Sequence, residues 1–418
     1  MSGASAGSHR ATGFAEFVVL MASLTALVAL SIDMVLPSLP AIGAALGAAR
    51  PNDNQWVVSL LFLGFGVGQF FYGPFSDTAG RKPAAFLGLI IFTVGCSLAL
   101  LSQNFTMMLA GRLLQGIGVA GPRTITIALV RDRFEGREMA RVMSLVTAVF
   151  IVAPIVAPTI GQVLLGFFGW RSIFVVYLAM GLITSVWFGV RQEETLPAAR
   201  RIPFALPRLA SAARQVVTNR VTVGYTVASG FVFGAFLGYL TSAQQILQEE
   251  YELGALFTLY FSALAVAIGG ASLANARLVL RYGMRRLSHL ALWGILVVSV
   301  VFLIVARLSS GHPPLMLLMA YLMVSFFGIG LLFGNLTTMA MQPLGAIAGT
   351  GSAIVGATSM LISLTLGTAI GQSYNGTVTP LVGGFAILSL CSLVSARFAE
   401  RGSAPETGAV LVSGADLH

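Results

Sequence analysis

The sequence predicts an all-α polytopic membrane protein of twelve spans, arranged as two related six-helix halves. Three observations predict it. Only 9% of the 418 residues are charged and 56% are hydrophobic, against roughly 25% charged in soluble domains. Apolar runs such as "FVVLMASLTALVALSI", "WVVSLLFLGFGVGQFFYG" and "HLALWGILVVSVVFLIVA" recur along the chain, each near the ~20 residues that cross a bilayer as a helix. Finally, the Lys and Arg residues segregate once the spans are drawn: 19 fall on one side, three on the other, and Arg112 and Arg123 lie within a span. That asymmetry places both termini and the arginine-rich loops in the cytoplasm.

The tail "MSGASAGSHR" precedes an apolar stretch too long for a signal peptide and lacking a small-residue cleavage site. Residues 1–14 therefore read as a cytoplasmic tail, followed by a retained first helix. Parsing at Pro, Gly and charge clusters gives spans at 15–36, 54–75, 84–101, 105–130, 138–166 and 171–190, then 220–246, 255–279, 286–306, 314–341, 349–373 and 379–397. The first bundle occupies 15–190 and the second 220–398. Between them, 191–219 is long, arginine-rich and partly amphipathic, which suits a cytoplasmic linker lying along the inner leaflet. The end, 399–418, is small and polar and reads as a disordered tail. The halves echo each other: "TAGRKPAAFLGL" resembles "RYGMRRLSHLAL", with Gly80 matched to Gly283, 203 residues apart. Leu280 stands in the second copy where Asp77 stood.

Composition also excludes several classes. The net charge of +9 comes without a basic domain or an aromatic-interleaved basic stripe, so nucleic acid is not a partner. Cys96 and Cys391 lie far apart in apolar runs and support neither a disulfide framework nor a metal site. No catalytic triad or phosphate-cradling loop is present, so an enzyme is not expected, and no cofactor. The expected partners are a small-molecule substrate, protons and the lipid bilayer, with the chain acting as a monomer.

The connection "GPFSDTAGRKP" between spans two and three places an acid, two glycines and paired basics between oily helices. Gly73 permits close helix approach, and Asp77, after it, can pair with Arg81 or Lys82 or face the positive end of a neighbouring helix. A solvated turn carrying topology charges is the plainer reading of Gly73, Asp77, Gly80, Arg81 and Lys82. In that order the residues resemble the signature loop of the major facilitator superfamily. "SIDMVLPSLP", "RLLQGIGVAGP", "VRDRFEGREMARVMS", "NARLVLRYGMRR" and "GNLTTMAMQPLGAIAGTGSAIVG" resemble its bicyclomycin/chloramphenicol (Bcr/CflA) type drug:proton antiporters. The resemblance covers nearly the whole chain and implies the major facilitator fold, with two pseudo-symmetric six-helix bundles. It also favours a cytoplasmic latch made and broken between transporter states, although Thr78 stands where the family often has a basic residue.

Asp33 is the most informative residue, because an acid inside a span costs ~2.5–3.5 kcal/mol on insertion scales and calls for a polar cavity. Arg112 lies at similar depth on span four and is its expected partner, either as a fixed structural pair or as a protonation-dependent one. The resemblance favours the second, since "RLLQG" matches the motif whose arginine is implicated in proton coupling. Arg123 is eleven residues on and returns to nearly the same helical face, pointing into one cleft or anchoring the inner end of the helix. In "APIVAPTIGQ", Pro154, Pro158 and Gly161 bend span five and admit a close neighbour, as an ordinary kinked span would. They resemble the superfamily's antiporter motif, with Ala153 and Ala157 where glycines are commoner.

In the family, spans one, four, seven and ten line the cavity, which implies Met34, Gln115, Arg123, Phe233, Tyr239, Gln244 and Asn335 as substrate contacts; each is alternatively a packing residue. One cavity acid against two arginines favours neutral or anionic compounds over lipophilic cations. The expected function is proton-coupled export of small amphipathic compounds across a bacterial inner membrane by alternating access, a drug:proton antiport. An uptake symporter or facilitator, and a non-transporting membrane sensor, are the other readings.

Overall fold

A computed structural model describes residues 13–203 and 205–401. The N-terminal tail through residue 12 and the C-terminal tail beyond 401 lie outside the described residues. No strand occurs among the described residues, which form fourteen α-helices and six short 3-10 or π segments. In chain order the α-helices are α1 (Phe14–Asp33), α2 (Leu39–Leu46), α3 (Trp56–Ala79), α4 (Arg81–Leu100), α5 (Phe105–Arg133), α6 (Gly136–Phe168) and α7 (Arg171–Arg191). The second half follows with α8 (Leu206–Thr218), α9 (Arg220–Gln244), α10 (Phe257–Tyr282), α11 (Met284–Leu308), α12 (Leu315–Met341), α13 (Ala348–Gln372) and α14 (Thr379–Glu400).

Twelve of these are long and apolar enough to cross a membrane, and each matches an expected span to within a few residues. The short α2 was not expected. Pro37 and Pro40 remove two backbone donors just past the end of α1, so the chain passes through a tight turn at Leu36–Ser38 before re-forming a helix. Helix starts carry their own stops: Asn104 accepts from the amide of Met107 at 2.9 Å, and Asn219 from that of Thr222 at 3.0 Å.

The repeat seen in the sequence has a structural counterpart. Gly80 and Gly283 are each the single residue between two long helices, with φ of 110° and 76°, a region L side chains avoid. One glycine thus makes the α3–α4 turn and the other the α10–α11 turn. Near the arginine-rich ends, each half also ties its first span to its sixth. Arg191 grips Glu16 with two bonds, of 2.5 and 2.6 Å, and Tyr225 donates to Glu400 at 2.8 Å while His289 closes on the same carboxylate at 2.9 Å.

Packing inside each half relies on small residues, because lipid leaves little hydrophobic drive between helices. Gly64 of α3 sits on the backbone of Leu113 and Ile117, and Gly116 of α5 sits on that of Leu61 and Phe65. A Cβ at either would collide with main chain. The halves meet mainly where α3 packs on α13 and α6 on α10, and these two seams frame the site.

Candidate functional site

Between the halves lies a cavity of about 840 Å³. It runs from Asp33 and Tyr239 down to Asp77, Arg81 and Arg131 at the arginine-rich helix ends. Its upper wall is aromatic. Phe233 of α9 touches Phe236 at 5.5 Å, Phe333 of α12 at 5.4 Å and, across the divide, Phe62 of α3 at 6.2 Å between ring centroids. Tyr239 meets the edge of Phe326 at 4.8 Å. Such a surface suits amphipathic molecules with an aromatic or apolar body.

Asp33 ends α1 on this wall and is 4% exposed. Among the described residues its carboxyl makes no hydrogen bond or ion pair. The expected Asp33–Arg112 pair is therefore not formed, and the reason is local. Arg112 is completely buried inside the first half, donating from Nε to the carbonyl of Val57 at 2.8 Å, from Nη2 to that of Ser31 at 2.9 Å, and from Nη1 to Gln115 at 2.8 Å. Its fork is filled by neutral acceptors from α1, α3 and α5, while Asp33 turns outward to the cavity. Gln115 in turn donates to Cys96 Sγ at 3.1 Å. The charge-bearing cavity wall therefore has Arg123, which lines it, and not Arg112.

The other expected contacts divide. Phe233, Tyr239 and Pro154 line the cavity, and Met34, Gln115, Gln244 and Asn335 do not. Met34 is buried with its carbonyl against Gly161 of α6, an approach that leaves no room for a side chain there. Gln244 donates to Glu249 at 3.0 Å, because the helix loosens into a π turn over Gln245–Glu250 and redirects it. Asn335 exchanges two bonds with Asn275, of 3.0 and 2.9 Å, and Asn275 rather than Asn335 reaches the cavity. Pro158 lies one turn from Pro154. Between them the carbonyl of Ile155 accepts from Ser262 of α10 at 2.6 Å, joining the halves at the kink.

At the arginine-rich mouth, Arg81 bonds Asp77 at 2.6 Å, Asp132 at 3.0 Å and Ser76 at 2.7 Å. Lys82 does not join Asp77; its ammonium reaches the carbonyl of Gly189 at 2.8 Å. The linker supplies an acid that sequence reasoning missed. Glu194 accepts from the backbone amides of Arg81 at 2.9 Å and Lys82 at 3.0 Å, capping the positive start of α4. Ile202 then donates to the carbonyl of Asp77 at 2.9 Å, and Thr78 returns a bond to the carbonyl of Ile202 at 3.0 Å. Residues 192–202 thus strap the signature loop. Only α8 keeps the amphipathic character expected of the linker, with Ala212 and Val216 buried and Ser211, Arg214 and Gln215 off that face.

On the opposite face the cavity ends under a sealed seam between α3 and α13. Asn52, Gln55, Gln245 and Gln372 meet there, none of them expected as functional. The signal was present as amides at the ends of spans two, seven and eleven. Beside them Tyr374 has its phenol pushed up to about 12 by burial, with Glu250 and Glu249 adding to the shift, so it remains a donor.

Residues 21–368 match the model of the Major Facilitator Superfamily. The chain is 30% identical over 380 residues to the uncharacterized MFS-type transporter YdgK of Bacillus subtilis, spanning 90% of each. It is 29% identical to the bicyclomycin resistance protein homolog of Haemophilus influenzae, over 88% of this chain and 91% of that one. The human organic anion transporter MFSD10 shares the fold at a TM-score of 0.67 and 18% identity, over 91% of this chain and 98% of its own. With a family match across most of its length and twelve membrane-length helices around one central cavity, the chain belongs to the major facilitator superfamily and is a multi-pass membrane transporter.

Proposed function

We propose that the protein exports small amphipathic compounds in exchange for protons across a bacterial inner membrane, with both termini and the arginine-rich face in the cytoplasm. The observation that carries this reading is Asp33: a buried carboxyl with no partner among the described residues, on the aromatic wall of a cavity that leads to the arginine-rich face. A carboxyl so placed is costly when charged unless water or a ligand reaches it, so each change of access offers it a reason to take or release a proton. Resistance to bicyclomycin in the name of one relative supports export of such compounds.

Arg112 then serves coupling as a positioning residue. By holding the carbonyl of Ser31 it fixes the last turn of α1, which carries Asp33. Arg123 supplies positive charge nearer the mouth, where Arg81 and Arg131 also line the cavity with Asp77, so the lining carries two acids and three arginines with Asp33 at the deep end. Neutral compounds and those with an anionic group fit it best. Substrate entering from the arginine-rich side displaces the proton of Asp33 to that side, and the halves rock about the cavity and release the substrate on the other face. Asp33 takes up a proton there, which neutralises it for the return.

The test is a panel of antibiotics, including bicyclomycin, on cells making the wild-type chain or Asp33→Asn. Wild type is expected to raise tolerance to at least one compound and Asp33→Asn to none. In inverted vesicles, adding that compound should dissipate an acid-interior gradient only with wild type. Undiminished tolerance with Asp33→Asn would remove the proton-coupled reading.

A further inference from the structure

The seam above the cavity is held by amides, and none of them has a part in the transport reading given so far. Gln55, at the start of α3, donates from Nε2 to Gln245 Oε1 at 2.5 Å and to the carbonyl of Gly371 at 2.9 Å. One turn further out, Asn52 donates from Nδ2 to the carbonyls of Gln372 at 3.1 Å and Tyr374 at 2.9 Å. Its Oδ1 accepts from Gln245 at 2.8 Å, and its carbonyl accepts from Gln372 Nε2 at 2.7 Å. One turn deeper, Thr368 and Ser59 bond at 3.0 Å.

All these bonds join the first half to the second, and the stack from residue 52 to residue 59 spans roughly 10 Å along the helix axis. Gln55 is 1% exposed and Gln245 3%. A Cβ on Gly371 would run into Gln55 Oε1 and Thr241 Oγ1, so a glycine is needed for Gln55 to reach that carbonyl. Four interlocked amides in a contact that seals a cavity amount to more than packing.

We propose that Asn52, Gln55, Gln245 and Gln372 form the gate on the arginine-poor face, a zipper that keeps this face shut while the cavity is reached from the other. The proposal rests on the alternating-access part of the reading above and not on the identity of the substrate or on proton coupling. In the closed form the amides are shielded from water and satisfy one another. When the face opens, water takes over those bonds. Removing one amide therefore strands its partners in the closed form alone and shifts the balance toward the open one.

The first experiment reads access directly and needs neither substrate nor gradient. In a background carrying Cys96→Ser and Cys391→Ser, Ser59→Cys is the reporter, labelled in intact cells by a membrane-impermeant maleimide. Gln55→Ala or Gln245→Ala should speed labelling about tenfold, equivalent to about 1.4 kcal/mol. Unchanged labelling in both variants overturns the gate. A rise confined to inverted vesicles supports the gate and overturns the sidedness. In a second variant, Asn52→Cys with Gln372→Cys, oxidation should stop transport and reductant restore it, so folding is controlled internally. Transport that persists after complete oxidation also overturns the gate.

Discussion

Arg112 shows how a charge can be held inside a membrane helix bundle without an opposite charge. Its donors end on two carbonyls from neighbouring helices and one amide a turn along its own helix, and hydrogen bonds to a charged group are worth ~1.5–3 kcal/mol each. Lysine keeps the charge but loses the planar fork. Arg112→Lys should therefore destabilise the first half by about 2 kcal/mol, seen as a lower unfolding temperature in detergent, and should also lower transport through the slackened end of α1. A variant with normal thermal stability and lost transport would make Arg112 a direct participant instead. From sequence, Asp33 and Arg112 were correctly placed at one depth. Their side-chain directions were not legible, because helix periodicity fixes a face only to within tens of degrees, and the nearest carbonyls of other helices are invisible to it. Gln244, expected as a substrate contact, instead bonds Glu249 where the helix passes into a π turn, and nothing in local composition announces that turn.

Glu194 ties the linker to the start of α4, and the strap from residue 192 to 202 depends on that contact. Its carboxylate serves three amides, those of Arg81, Lys82 and Leu196. Glu194→Gln should cost about 1 kcal/mol at this helix start and free the strap, so that trypsin cuts faster after Arg200 and Arg201. An unchanged cutting rate would show that Ile202 and Thr78 hold the strap alone. The α3–α4 turn itself was legible, since Gly80 and the basic pair announce a tight connection. The strap was not. "RQEET" reads as solvated polar linker, and only the folded backbone brings its third acid or amide residue, Glu194, to a helix end more than a hundred residues away.

The whole molecule is two bundles that touch along α3–α13 and α6–α10, with the strap belonging to the first. The two halves should therefore associate without covalent continuity. Expressed as 1–203 and 204–418, they are expected to co-purify and retain transport, whereas a break after residue 191 separates the first half from its strap and should lose most of it. Failure of the 1–203 pair to associate would show that the linker, and not the seams, holds the bundles together. Span number and the glycine-marked repeat were legible because each is written in composition and spacing. Which seam is closed was not, since both openings use the same residues.

That closed seam has an electrical side. Asn52, Gln55, Gln245 and Gln372 carry no formal charge, so a membrane potential, which does ~2.3 kcal/mol of work per elementary charge per 100 mV, has nothing in the zipper to pull on. Voltage must act on the side chains that line the space beneath it and on whatever cargo they hold. Any voltage dependence of the opening should therefore follow those lining charges and survive replacement of the amides.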